Sequence, residues 1–408
     1  MSEVPIIWTY ENCAECIMPE LFFLNQTIEY LQEVNIWRLI CPFLTVADRL
    51  IDCEREKSDT NMNVFRNLKD PPTSLESKAN GKELTDRGFY KSLFTETALP
   101  DLICERLAMG IRRLLAHGYS ANMILMFDEA WVVGDLLSKL VTGASGNAPI
   151  GDWFVFHVEN TSSYSPGPPH RDRPTADKTS FRPTEATLPV VVIDTPLPVV
   201  ITTVASIQTE SEIVTEIAVG TVGTSVVAIE ETLILGAPKY CSVWLALTDA
   251  TPENSCLYFI PKDDDAGYGL SGDCITNMGH MWQNIVAQPL LQGGFLTFSH
   301  RLLHWGSRPQ PNSGRGRIAL TLAFADPTFE EAYFDHILYG PLPPLMLRLG
   351  LVAGQQIQYE HHAPLEKHTL GLYRRIFHQS KLYFLPTYYE KISSAAQFLV
   401  FIMKQKRS

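Results

Sequence analysis

Near Asp152 the spacing of apolar residues changes from three and four to short runs broken by turn residues, which limits the chain to a β-structure flanked by helices. Before that point, residues 21–40, 102–116 and 123–141 carry apolar side chains at helical spacing, with Pro42, Gly118 and Gly143 as stop signals. Residues 53–88 are charged and poor in large apolar side chains, and they contain Pro71-Pro72, so they read as a long loop with little regular structure. Beyond Asp152, residues 153–158, 240–248, 256–260, 285–288, 295–299 and 315–325 are strand candidates separated by turns. After Asp326 helical spacing returns at 345–358, 365–380 and 388–402; Tyr388, Tyr389, Ile392, Ala396, Leu399 and Ile402 fall on one face of the last, as core packing requires. The expected organisation is a helical region at 1–150 packed on a β-barrel core at 151–330, with a helical extension at 331–408.

Residues 188–235 contain no Lys or Arg and are dominated by Val, Ile and Thr. They read as one or two β-hairpins inserted at about 185–235, which would cover the mouth of a site or pair with a second copy of the chain in a homo-oligomer. Asp194 and three prolines in the most apolar stretch argue against a membrane span. The start, MSEVPIIWTYEN, has no basic run followed by an apolar one, and the last residues, KQKRS, are not a Ser-Lys-Leu signal, so a cytoplasmic location is expected. The formal net charge of −12 repels phosphate backbones and makes nucleic acid a poor partner. Of the 8 cysteines only Cys13 and Cys16 form a C-x-x-C, with no second pair to complete a zinc site, so the thiols read as reduced.

His170-Arg171-Asp172 is an H-x-D. Residues two apart on an extended chain project to one side, so an imidazole and a carboxylate can meet at one metal. With 11 histidines, and Asp at roughly 5% abundance, about half an H-x-D is expected by chance. The motif gains weight from two segments further along the chain. The segment 294–307 ends a strand at His304 and turns through Trp305, Gly306 and Ser307, and Arg317, Ala319 and Thr321 then share one face of the next strand. Two histidines and one carboxylate on one side of a metal leave positions open for an oxidant and a chelating cosubstrate, and an arginine suits a cosubstrate's far carboxylate. His300 and His304, four apart, mimic a zinc-binding helical pair but enclose no glutamate base. His361 and His362 lie in a polar stretch and read as solvated.

These motifs, in this order, resemble the phytanoyl-CoA dioxygenase family of Fe(II)/2-oxoglutarate oxygenases. The segment Trp244-Leu-Ala-Leu-Thr-Asp-Ala-Thr-Pro-Glu-Asn-Ser-Cys256-Leu-Tyr-Phe-Ile-Pro261 is similar to the family's W-x-A-L-x-D-x-x-x-x-N-G-C-L-x-x-x-P stretch. His304 with Gly306-Ser307 is similar to its H-G-S, and Arg317-x-Ala319-x-Thr321 to its R-x-A-x-S. The resemblance implies an α+β chain built on a double-stranded β-helix, a jelly-roll barrel, over roughly 153–326. It implies His170, Asp172 and His304 as ligands of Fe(II), and Arg317 as the partner of the 2-oxoglutarate C5 carboxylate. Trp244 would line the cosubstrate pocket, with Ser307 and Thr321 as further hydrogen-bond donors to it. Arg315, on the same strand face, competes with Arg317. The implied reaction is O2-dependent hydroxylation or other oxidation of a C–H bond in a small or medium organic substrate, with release of succinate and CO2. An intact Asp172 argues against a halogenase.

Departures from the family lie at the inserted Trp305, at Lys262-Asp263-Asp264-Asp265 after Pro261, and in the lengthened gap before Trp244. Arg171 should point away from the metal, and Phe154 and Phe156 should be barrel core. His157, Asn160 and Tyr164 are open between packing and contact with a ligand. The rival readings are a cupin-type metal enzyme without 2-oxoglutarate, which needs no Arg317, and a non-catalytic binding protein on the same barrel.

Overall fold

A computed structural model describes residues 28–46, 74–93, 102–158, 168–173, 180–182, 212–213, 233–234, 236–270, 282–310, 316–335, 342–360 and 365–405. Its contacts divide the chain into two units. One comprises residues 1–59, 106–131 and 335–408, the other residues 60–105 and 132–334. The expected stop at Gly143 is passed over: α5 runs on to Ser145, and Gly146, with φ +71°, follows it.

The helical unit contains α1 (Ile28–Leu31), α2 (Val34–Ile40), most of α4 (Ile103–Ala116), the first turn of α5 (Asp128–Ser145), α6 (Leu345–Gln358), α7 (Lys367–Gln379) and α8 (Pro386–Gln405). The apolar run LMLRLGLVAGQQIQ is buried along almost its whole length, so α6 is the central helix of this unit. Its one charge, Arg348, pairs with the buried Asp128 at 2.7 Å and donates to the carbonyls of Met126 and Pro343 at 2.8 Å. A guanidinium can remain so deep only because its N–H groups meet oxygen. No described helix is long and apolar enough to cross a membrane.

Among the described residues the other unit holds two antiparallel sheets of three or more strands and a short two-stranded pair. Its strands are β1 (Phe89–Leu93), β2 (Ala148–Val158), β3 (Glu212–Ile213), β4 (Leu233–Ile234), β5 (Tyr240–Ala246), β6 (Leu257–Ile260), β7 (Val286–Gln288), β8 (Gly294–Ser299), β9 (Leu303–Gly306) and β10 (Arg317–Ala325). Five form a sheet in the order β1-β8-β5-β10-β2, and three form a second in the order β7-β6-β9. Trp244, Leu296, Phe298 and Ala319 from the first sheet and Leu257 and Phe259 from the second share one buried cluster, so the sheets pack face to face. β8, GFLTFS, is buried at every position because both its faces are covered. Apart from the short β3–β4 pair, the inserted 185–235 segment lies outside the described residues.

Two elements depart from the sequence expectation. Within the 53–88 stretch, Ser74–Arg87 forms the helix α3, which has few apolar anchors, among them the fully buried Leu84. Gly88 then turns the chain with φ +82°, where an added Cβ would stand 3.0 Å from Leu302, and β1 begins at once as an edge strand on β8. The turn is open to glycine because it carries no Cβ.

Gly134 of α5 fixes how closely that helix lies on the sheet. A Cβ there would fall 2.1 Å from the indole of the fully buried Trp153. Gly134→Ala should therefore lower unfolding stability by about 1–3 kcal/mol through overpacking, despite its gain in helix propensity. A urea-unfolding midpoint equal to or above the wild type would show that Trp153 can move aside.

Candidate metal centre

The H-x-D reaches the sheet through a single bridge. His170 N–H donates to the His304 carbonyl and His304 N–H to the His170 carbonyl, both at 3.0 Å. β9 thus pairs with β6 on one side and with His170 on the other. β9 is absent from the sequence expectation, which places a turn after His304; four residues are too short to show an alternating pattern.

Both imidazoles are oriented in the same way. His170 Nδ1 lies 2.9 Å from the Pro168 carbonyl and His304 Nδ1 lies 3.0 Å from the Leu302 carbonyl, in each case two residues back. A proton on Nδ1 satisfies that carbonyl and leaves Nε2 as a lone-pair donor. The His304 Nε2 lies 3.4 Å and the His170 Nε2 4.0 Å from one oxygen of Asp172. Among the described residues these three make the only set of His, Cys, Asp or Glu ligand atoms within 4.8 Å of one another. Two imidazoles, one carboxylate and no thiolate suit a first-row divalent ion with open positions, and not a closed thiolate zinc site.

Neighbouring side chains hold the carboxylate. Ser242 of β5 donates its hydroxyl to the second Asp172 oxygen. Arg171 turns away, as expected, and grips Asp265 through two hydrogen bonds of 2.6 and 2.8 Å, with both side chains fully buried. It also donates to the Arg301 carbonyl. Asp265 is the last residue of the Lys262–Asp265 departure from the family pattern, so that departure anchors the ligand loop. Arg173 binds Glu330 at 2.8 and 3.0 Å and lies 4.5 Å from the Tyr240 ring centroid, while Arg301 donates to the Arg173 carbonyl at 3.0 Å. Nothing in the sequence marks Ser242 or Asp265; both become visible only through the fold.

Burial acts on Asp172 and His304 differently. It pushes the Asp172 carboxyl up, yet His304, His170, the Ser242 hydroxyl and Arg173 together bring it below its ordinary value. Burial is also the largest influence on His304 and lowers it to about 4, against an opposing pull from Asp172. His304 is then neutral at physiological pH, as a ligand must be.

Of the expected cosubstrate residues, Trp244, Arg317 and Thr321 lie on the inner face of the five-stranded sheet, and Ser307 follows β9 of the small one. Trp244 stands opposite Thr321 and Ala246 opposite Ala319. Arg317 is buried, its guanidinium carbon 5.0 Å from the Trp244 ring centroid and one terminal nitrogen 3.4 Å from the Ser255 hydroxyl. Phe298 and Phe259 connect this cluster to His304, with ring centroids 4.7 and 6.3 Å from the imidazole. Phe154 and Phe156 lie opposite Thr321 and Ala319, on the same face. Ser307 and Thr321 give their hydroxyl protons elsewhere, to the carbonyls of Pro252 at 3.4 Å and Phe154 at 2.9 Å. A hydroxyl has one proton, so neither donates into the pocket in this arrangement. The inserted Trp305 stacks on Tyr258 on the outer side of the small sheet, with centroids 6.0 Å apart.

His157 stands opposite Ile318, on the face away from Trp244. His300 is fully buried with Nδ1 3.1 Å from the Tyr240 carbonyl and stays out of the ligand set, which removes the zinc-pair alternative. Arg315, Asn160, Tyr164, His361 and His362 lie outside the described residues.

A model of the phytanoyl-CoA dioxygenase (PhyH) family matches residues 230–317. The match runs through Trp244, His304 and Ser307 to Arg317 and does not reach His170 or Asp172. No curated protein sequence matches the chain. Among solved structures, the epimerase SnoN in complex with Fe3+, alpha ketoglutarate and nogalamycin RO aligns with a TM-score of 0.39 at 16% identity, over 62% of this chain and 85% of its own. AviO1 from Streptomyces viridochromogenes Tue57 aligns at 0.37 and 16%, over 63% and 97%. EvdO2 from Micromonospora carbonacea var. aurantiaca, complexed with 2-oxoglutarate, aligns at 0.28 and 14%, over 62% and 96%.

Two outcomes test this geometry. Asp265→Ala leaves Arg171 charged and buried without its partner and should cost about 3–5 kcal/mol. The paired change Arg171→Met with Asp265→Leu should recover most of that loss in urea unfolding. Second, the metal-free protein should lose stability as pH falls from 6.5 toward 4. The unfolded chain takes up a proton there that folded His304 refuses, so the loss grows as pH drops through the window. An equally steep loss in His304→Gln would assign the effect to another group.

Proposed function

We propose that the chain is an Fe(II)/2-oxoglutarate-dependent dioxygenase that oxidises a C–H bond of a small or medium organic substrate. The observation that carries this reading is the convergence of His170, Asp172 and His304 beside a buried arginine on the inner sheet face. The matched PhyH segment supports it. Under this reading residues 151–330 form a double-stranded β-helix, because successive strands from β5 onward pass between the two sheets: β5 in the large one, β6 and β7 in the small one, β8, β9 and β10 alternating.

His170, Asp172 and His304 would hold Fe(II), which with 2-oxoglutarate and O2 supplies the oxidising power for C–H cleavage and releases succinate and CO2. The chain's own residues do the rest. Nδ1 contacts to Pro168 and Leu302 aim the two imidazoles, and Ser242 fixes which Asp172 oxygen faces them. Arg317 offers a two-pronged donor to the far carboxylate of 2-oxoglutarate, and Trp244 closes one side of that pocket. Ser307 and Thr321 would contribute donors only by turning away from the carbonyls they now bind. Phe154, Phe156, Phe259 and Phe298 exclude water around the site. The buried arginine favours this reading over a metal enzyme that takes no 2-oxoglutarate.

Arg317→Gln should raise KM for 2-oxoglutarate roughly 10–100-fold, the loss of one charge-assisted contact, with little change in Fe(II) affinity. Ser242→Ala should do the reverse, weakening Fe(II) by about 10–100-fold as removal of a ligand's hydrogen-bond partner does. Succinate release from 2-oxoglutarate, assayed with and without metabolite mixtures, reads both. Succinate formation that persists in Asp172→Ala would overturn the assignment.

A further inference from the structure

We propose that the C-terminal helices carry a second small-molecule site, a groove between α7 and α8 that binds an organic phosphate. The groove has a volume of about 550 Å³, within the range of small-molecule pockets. Arg374, Arg375 and His378 of α7 and Tyr389, Ser393 and Gln397 of α8 line it, and no Asp or Glu does.

The charge distribution sets this face apart. Within a chain of net charge −12, residues 367–389 contain Lys367, Arg374, Arg375 and Lys381 and no acidic residue. Elsewhere Arg171 is paired with Asp265, Arg348 with Asp128 and Arg182 with Asp326, while the buried Arg301 and Arg317 meet carbonyl or hydroxyl oxygens. Arg374 and Arg375 are exposed and make no ion pair or hydrogen bond among the described residues. The planar forks of their guanidiniums match phosphate oxygens.

The wall beside them is rigid and aromatic. Tyr389 stacks on the buried Phe377 with centroids 5.3 Å apart and planes 10° apart. Its hydroxyl lies 2.8 Å from His378 Nδ1, and the Lys381 ammonium lies 5.0 Å from its ring centroid. Gly371 opens the floor, since an added Cβ there would meet nothing within 4 Å. A cationic end, a flat aromatic side and polar groups at Ser393 and Gln397 fit a phosphate ester with a flat apolar part, better than a bare ion. All of these residues lie in the helical unit, and none is among those assigned to the metal centre.

The test is calorimetric titration of the full chain at 0.15 M salt with phenyl phosphate, inorganic phosphate and citrate. Phenyl phosphate should bind saturably and more tightly than either simple anion. Arg374→Gln with Arg375→Gln should weaken it by about tenfold or more, and Lys82→Gln with Lys139→Gln, the same charge change on α3 and α5, should not. Gly371→Phe keeps every charge but fills the groove, and it too should abolish binding while circular dichroism shows the helices intact. Equal binding in the Arg and control variants, unchanged binding in Gly371→Phe, or association with anionic phosphatidylserine vesicles but not with phenyl phosphate would each overturn the proposal.

Discussion

Two backbone hydrogen bonds between His170 and His304 hold the candidate metal centre together. They join residues far apart in sequence, His304 in the four-residue β9 and His170 outside any named strand. Without the bridge, the H-x-D would be a loop beside a sheet. With it, one imidazole becomes the outer neighbour of the strand that bears the other, and the two rings stand 4.4 Å apart between centroids. An isolated bridge is a weak restraint by itself, so the loop needs further anchors.

Three arginines provide them. Arg171 is locked on Asp265, Arg173 on Glu330 and the Tyr240 ring, and Arg301 spans carbonyls of Arg173, Gly267 and Tyr268. Their positive charge is balanced within the same layer by Asp265, Glu330 and Asp152. Truncating one member would strand a charge in a low-dielectric interior, which makes the layer costly to disrupt and the ligand geometry well defined. The Asp172 carboxylate is held by Ser242 in addition to its two histidines, so the ligands are positioned by the protein.

Much of this was legible in the sequence where the local pattern was long. α6, Leu345–Gln358, coincides with its apolar periodicity, and β5, β8 and β10 lie within a residue or two of the expected runs. His170, Asp172 and His304 stood out as candidates through the H-x-D and through the place of the distal histidine in the family-like order of motifs, and the fold brings the three together. What was hidden depends on long-range contact. α3 is nearly all polar and is anchored by residues such as Leu84; β1 is five residues that become a strand only on β8; β9 is four residues between two partners. Ser242 is one serine among many until the fold carries it to Asp172. The contacts of the Ser307 and Thr321 hydroxyls with the carbonyls of Pro252 and Phe154 are long-range as well, and nothing in the sequence marks them.

The central claim is that one centre holds both the metal and the 2-oxoglutarate. Anaerobic addition of 2-oxoglutarate to the Fe(II)-loaded protein tests it most directly, read by visible absorption. A weak charge-transfer band that saturates at one equivalent of Fe(II), and is lost in His304→Ala, is the predicted result. Tight Fe(II) binding with no such band at any 2-oxoglutarate concentration would contradict the account.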